Sequence, residues 1–274
     1  MRVQCAILSH LDATKRNNFF MLNIIPIPAF KDNYIWALHD HEYMAVIDPG
    51  DAVPVLEYLG LHKLKLVAIL CTHHHNDHVG GVCELAELYN VPVYGPQLEL
   101  IPCVSDGLDD GDIIEIPELS IKFRVIDIPG HTHGHIAYLG AGGIFCGDTL
   151  FGCGCGRLFE GTAVQLFHSL QRLAGLPKET KVYCGHEYTE ANIRFALFCE
   201  PDNARLVCRQ DDVRTLRAAG RPTLPSTIDL ERDTNPFLRC AEPGVVATAL
   251  RLTKTEQADE VSVFTALRTL KDHF

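Results

Sequence analysis

A chain of 274 residues with 47% hydrophobic and 22% charged residues has ordinary globular composition, and its length suits one large domain or two modest ones. Its 24 basic and 35 acidic residues give a formal charge of −11, which excludes a nucleic-acid role unless cations cluster locally. No run of 18 apolar residues exists to span a bilayer, and eleven cysteines without a C-x-x-C pair read as reduced thiols of a cytoplasmic protein.

The first twenty residues hold Arg2, Lys15 and Arg16 but no continuous apolar stretch or small-residue cleavage site. They read as a poorly ordered extension, not a signal peptide. Leu22–Pro28 predicts a strand of edge character, because Pro26 and Pro28 remove ladder donors. Tyr34–Leu38 and Met44–Asp48 predict an antiparallel pair. Asp48 either closes the turn or orients a ligand imidazole. A helix follows at Val53–Leu59, then a mostly apolar, buried strand at Leu64–Cys71.

The stretch leaving that strand, Thr72-His73-His74-His75-Asn76-Asp77-His78, places four imidazoles and one carboxylate within seven residues. Alternate side chains of an extended loop point the same way. His73 and His75 can therefore grip one cation, Asp77 and His78 can face a second, and His74 points away. Metal ions draw on such His and carboxylate clusters, and the carboxyl end of a strand is the usual place for a site in an α/β fold.

Further on, Gly81–Tyr89 predicts a helix, Val91–Tyr94 a strand and Asp106–Asp112 a solvated acidic turn. Strands are expected at Ile113–Ile116, Ile121–Ile128, His135–Leu139, Gly143–Cys146 and Val182–Cys184, with an amphipathic helix at Thr162–Ala174. Three of these strands run out to a glycine followed by a ligand-type residue: Gly130-His131, Gly147-Asp148 and Gly185-His186. That grammar fits strand ends converging on one site. His133 and His135 read as turn or supporting residues, and Cys153-Gly154-Cys155 as a tight loop. Beyond His186 the pattern turns helical, at Thr189–Phe198, about Asn203–Ala219 and about Glu260–Lys271.

Together, the T-H-x-H-x-D-H run from Thr72, Gly130-His131-Thr132, Gly147-Asp148-Thr149 and Gly185-His186-Glu187 resemble the metallo-β-lactamase superfamily. Within it, Ile25–Tyr34, Gly152–Thr162 and Arg268–Phe274 resemble the glyoxalase II (hydroxyacylglutathione hydrolase) family, most closely its bacterial form, over about Met21 to Phe274. The resemblance implies an extension at 1–20, an αβ/βα four-layer sandwich at 21–187 and a helical substrate-binding domain at 188–274. It implies that His73, His75 and His131 hold one divalent ion and Asp77, His78 and His186 a second, with Asp148 bridging. Asp77 and Asp148 are then the catalytic carboxylates, and the ions are zinc, with iron or manganese as alternatives.

The implied substrate is a glutathione thioester, hydrolysed to glutathione and a 2-hydroxy acid such as lactate in methylglyoxal detoxification. Arg157, Tyr188, Arg268 and Lys271 are the implied glutathione-binding residues. Arg268 and Lys271, three apart on the last helix, share a face. Animal and plant members often have Lys and Tyr where this chain has Arg157 and Phe159. A monomer without nucleic-acid or membrane partners is expected. The alternative is a mononuclear iron persulfide dioxygenase of the same superfamily, against which the helical tail with Arg268 and Lys271 counts. A dinuclear nuclease is opposed by the charge.

Overall fold

The structure, a computed structural model, describes residues 22–253 and 259–274. The expected extension, 1–20, lies outside the described residues.

Period-two apolar patterning builds two six-stranded sheets. The first contains β1 (Asn23–Ala29), β2 (Asn33–His39), β3 (Tyr43–Ile47), β4 (Lys65–Leu70), β5 (Val93–Pro96) and β6 (Asp106–Leu108), side by side in chain order. β1 to β3 pair antiparallel, and β3 to β6 are parallel. Trp36 and Leu38 of β2 belong to the core shared with the second sheet, whereas Ile35 and Ala37 belong to the outer cluster. Three helices connect these strands: α1 (Ala52–His62), the single turn α2 (Asn76–Val79) and α3 (Val82–Tyr89). Val55 and Leu59 of α1 and Val82 and Leu85 of α3 pack in that outer cluster.

The second sheet contains β7 (Ile113–Ile116), β8 (Ile121–Asp127), β9 (Ile136–Gly140) and β10 (Gly143–Gly147). After a small ribbon, β11 (Leu150–Phe151) and β12 (Gly154–Cys155), it takes up β13 (Lys181–Cys184) and β14 (Ser226–Thr227). Its order is β14-β13-β10-β9-β8-β7. α4 (Ala163–Ala174) opens with a capping box from Thr162 and Gln165 and buries Leu166, Leu170 and Leu173. The result is the helix–sheet–sheet–helix layering expected from the sequence. After His186 come α5 (Thr189–Cys199), α6 (Ala204–Ala218), α7 (Ile228–Thr234), α8 (Pro243–Thr253) and α9 (Glu260–Asp272). The main apolar cluster continues from the sheets into Val245 and Ala249 of α8 and Phe264 and Leu267 of α9.

Three expectations are corrected. Asp106–Leu108 is an edge strand paired with β5, not a solvated turn. Main-chain pairing makes no demand on its side chains, and an acidic edge resists pairing with another chain. α7 and α8 went unpredicted, because α7 is short and polar and α8 begins on a Pro-Gly pair. The thiols are not all reduced. Cys83 of α3 and Cys103 are joined, their Cα atoms 5.5 Å apart as a bridge requires. Of the eight described free cysteines only Cys208 is exposed. Burial raises Cys153 to about 12 and Cys155 to about 11, so neither is a ready thiolate, in keeping with the tight-loop reading.

Candidate metal centre

All the donor-bearing segments leave the carboxyl ends of strands. β4 runs into His73 and His75 and then α2, which carries Asp77 and His78. β8, β10 and β13 lead to His131, Asp148 and His186. The glycines before these residues have a steric reason. Gly147 has φ +46°, and a Cβ there would stand 2.3 Å from Thr72 Oγ1. A Cβ on Gly185 would stand 2.6 Å from His78 Cε1. Strand ends this close exclude larger residues.

The donors fall into two sets. His73 Nε2 and His131 Nε2 lie 3.1 and 3.0 Å from His75 Nδ1. Asp77 Oδ2 lies 3.7 Å from His78 Nε2 and 3.5 Å from His186 Nε2. Asp148 stands between them. Its Oδ2 is 3.6 Å from His131 Nε2 and 3.3 Å from His186 Nε2, and its Oδ1 is 3.4 Å from His78 Nε2. The structure thus brings all seven expected ligands together. His74 points away.

Neighbouring groups engage the outward ring nitrogens. His131 Nδ1 donates to the Arg157 carbonyl (2.8 Å), His78 Nδ1 to Asp48 Oδ2 (3.0 Å) and His186 Nδ1 to Asp32 Oδ1 (2.9 Å). The Thr72 hydroxyl has one proton, which it gives to Asp48 Oδ2 (2.7 Å), so it accepts from His73 Nδ1 (3.0 Å). Four imidazoles thus engage Nδ1 outward and turn Nε2 inward, the orientation in which a neutral ring ligates a metal through Nε2.

The donor chemistry fits divalent cations. His78 Nε2 and Asp148 Oδ1 are buried without a hydrogen-bond partner, and buried polar atoms of that kind call for one. Burial holds His73 well below the usual imidazole range, with His78 and His135 adding to it, and also lowers His75 and His131. These three are neutral, ready ligands. Burial also pulls His78 and His186 down, but the Asp148 carboxylate, aided by Asp48 and Asp32, outweighs it and raises both. Burial pushes Asp148 up, yet His78 and His186 hold it well below the carboxylate range. A cation bound here would take over the pull those protons exert, so its affinity is pH-dependent.

The supporting residues divide into foreseen and missed. Asp48, at φ +54°, receives Thr72 N–H (2.7 Å) as well as the two groups above, the orienting role foreseen as one option. His135 accepts the Asp148 N–H (3.2 Å) and stacks on His73, as a supporting residue should. Asp32, Asn33 and Glu99 were missed. Asn33 Nδ2 donates to Asp77 Oδ2 (3.0 Å). The one available signal was Asp32-Asn33, a polar pair between two apolar strands.

The centre opens on a cavity of about 780 Å³ lined by all four expected substrate residues. Tyr188 lies flat on His186, ring centroids 4.6 Å apart. Arg157 is largely exposed. Lys271 Nζ sits 5.1 Å over the Phe195 ring. Arg268 is not the free cation its spacing suggests. It is buried, with Nη1 donating to the Cys155 and Gly156 carbonyls (3.0 and 3.3 Å) and Nη2 to Asp272 Oδ1 (2.9 Å). Only its Nε lacks a partner.

Two family descriptions match the chain: "Metallo-beta-lactamase superfamily" over residues 31–186 and "Hydroxyacylglutathione hydrolase C-terminus" over residues 187–274. A hydroxyacylglutathione hydrolase of Nitrosomonas europaea is 51% identical over 254 residues, 93% of this chain and 97% of that one. Among solved structures, ETHE1 from Myxococcus xanthus aligns over 92% of this chain and 99% of its own with a TM-score of 0.62. At 24% identity, that likeness is one of fold. A second, TTHA1623 in a di-iron-bound form, is 27% identical with a TM-score of 0.54, covering 78% of this chain and all of that one.

Proposed function

The chain belongs to the hydroxyacylglutathione hydrolase family of the metallo-β-lactamase superfamily, and from that premise we propose that it hydrolyses S-(2-hydroxyacyl)glutathione thioesters such as S-lactoylglutathione. The products are glutathione and the 2-hydroxy acid. The observation that supports this most is the position of Asp148 Oδ2, within 3.6 Å of His131 Nε2 and 3.3 Å of His186 Nε2, on the wall of a cavity that Lys271 and Arg157 also line.

In this reading His73, His75 and His131 would hold one divalent cation and Asp77, His78 and His186 another, with Asp148 shared. Zinc is the first choice, with iron or manganese as alternatives. When bound, the cations supply a nucleophile at neutral pH and Lewis-acid stabilisation of developing negative charge. The chain's own part is positional. Asp48, Asp32 and the Arg157 carbonyl fix the imidazole tautomers, and Asn33 fixes Asp77. Arg157, Tyr188 and Lys271 would receive the glutathione portion and bring the thioester carbonyl to the donor set. The leaving thiolate is a weak base, so no strong general acid is needed.

The reading also takes the chain as a monomer acting in the cytoplasm. Among the described residues, no helix is long and apolar enough to cross a membrane. The test is S-lactoylglutathione hydrolysis with elemental analysis, alongside dioxygen uptake on glutathione persulfide. We expect thioester turnover with two bound divalent ions. Dioxygen uptake without thioester turnover would favour the dioxygenase alternative and refute the proposal.

A further inference from the structure

After β5 the chain reads Leu98-Glu99-Leu100 with its polarity inverted. The leucines are 73% and 98% exposed, while the Glu99 side chain is 3% exposed. A buried carboxylate is expensive unless hydrogen bonds satisfy it, and Glu99 gathers four contacts. Its Oε2 accepts from the His74 backbone N–H (2.5 Å) and lies 2.9 Å from His74 Nδ1. Its Oε1 accepts from the Thr132 hydroxyl and from Gly134 N–H (3.1 Å).

His74 is the chain neighbour of both His73 and His75, and Thr132 is the neighbour of His131. One carboxylate therefore grips a residue beside every member of the first donor set. It touches no neighbour of Asp77, His78, Asp148 or His186. On the far side, His74 Nε2 lies 3.2 Å from Glu160 Oε1, and Glu160 Oε2 accepts from His133 N–H (3.0 Å), which closes the grip.

We infer that Glu99 is a positioning residue for the first cation alone. By holding His74 outward it turns His73 and His75 inward through the alternation of an extended loop, and by holding Thr132 it keeps His131 against them. The inference rests on the proposed two-cation reading for the identity of what the set holds.

The test is the release of each metal equivalent to a chelator from the loaded enzyme, with Glu99→Gln as the variant. Gln keeps the size but places an NH2 against one pair of donors. Losing an outer partner of this kind typically lowers metal affinity by about 10–100-fold. We expect one equivalent to leave at least about tenfold faster and the other at the wild-type rate. With cobalt bound, one of two site spectra should change. Glu99→Asp should fall between. Unchanged release, or equal acceleration of both equivalents together with a lower melting temperature, would overturn the inference. If Glu99→Gln does not accumulate folded, Thr132→Val removes one donor of the grip and is judged by the same criteria. Release requires no substrate. A protein that binds both ions and leaves thioesters intact would therefore sink the functional proposal but not this one.

Discussion

Lys271 is the residue on which the substrate side can be tested most sharply. Burial, reinforced by Arg268 and Arg194, lowers its ammonium to about 8, against an ordinary lysine near 10.4. If the charged form binds a glutathione carboxylate, KM depends on the fraction charged in free enzyme. That fraction is nearly complete at pH 7, about half at pH 8 and about one eleventh at pH 9, so KM should rise about tenfold between pH 7 and 9. An ordinary lysine would give no change over that range. Lys271→Arg keeps its charge throughout and should flatten the rise. Lys271→Met should raise KM about tenfold or more at pH 7, the scale of about 1.5–3 kcal/mol for a charge-assisted hydrogen bond, with kcat little changed. Titration of the substrate's own groups is common to all three enzymes, so the differences isolate Lys271. The stability sign runs the other way. Between about pH 8 and 10.4 the unfolded chain holds more protons at this lysine than the folded one, so the fold gains stability as pH rises there. Lys271→Met should accordingly melt no lower than wild type at pH 7. Parallel KM curves for wild type and Lys271→Arg, or a wild-type KM in Lys271→Met at pH 7, would refute the argument.

Asp148→Ala should disrupt the cation pair and abolish hydrolysis, whereas His74→Ala, which keeps the backbone N–H held by Glu99, should retain both ions by elemental analysis. Glu231 and Arg209 form a buried pair, with side chains 0% and 4% exposed. Glu231→Ala strands that guanidinium, so urea unfolding should show a loss of about 3–5 kcal/mol. Arg268→Ala should lower kcat as well as raise KM, unlike Lys271→Met, by steady-state kinetics on S-lactoylglutathione.

The donors were legible because their signals are local. His73 to His78 fall within one short stretch after β4, and Gly130, Gly147 and Gly185 each mark a strand end where a Cβ does not fit or the backbone needs a positive φ. Of their supports, Asp48 and His135 were foreseen, and Asp32, Asn33 and Glu99 were not. Asp32 serves His186 across 154 residues of sequence, and Glu99 sits between two leucines that lie in solvent. An isolated acidic residue in a loop has no periodicity to betray its partner. β6 was hidden for a related reason, since its three pairings with β5 are main-chain pairings beneath an acidic surface sequence.

Arg268 shows how spacing can be right and its consequence different. Its i, i+3 relation to Lys271 does place both at one cavity, on a helix anchored by Phe264 and Leu267. Yet the guanidinium binds the Cys155 and Gly156 carbonyls, and the next carbonyl along, from Arg157, receives His131 Nδ1. The same loop continues to Phe159, whose ring lies edge-on to His75 and His131 at 5.3 and 5.2 Å. One short loop thus connects the last helix to the first donor set. Removing Lys271 takes away a contact with substrate. Removing Arg268 loosens the loop that sets the tautomer and tilt of His131, which is why its loss should reach kcat. If Arg268→Ala changes KM alone, the loop is held by its other contacts, and Arg268 serves only the cavity wall.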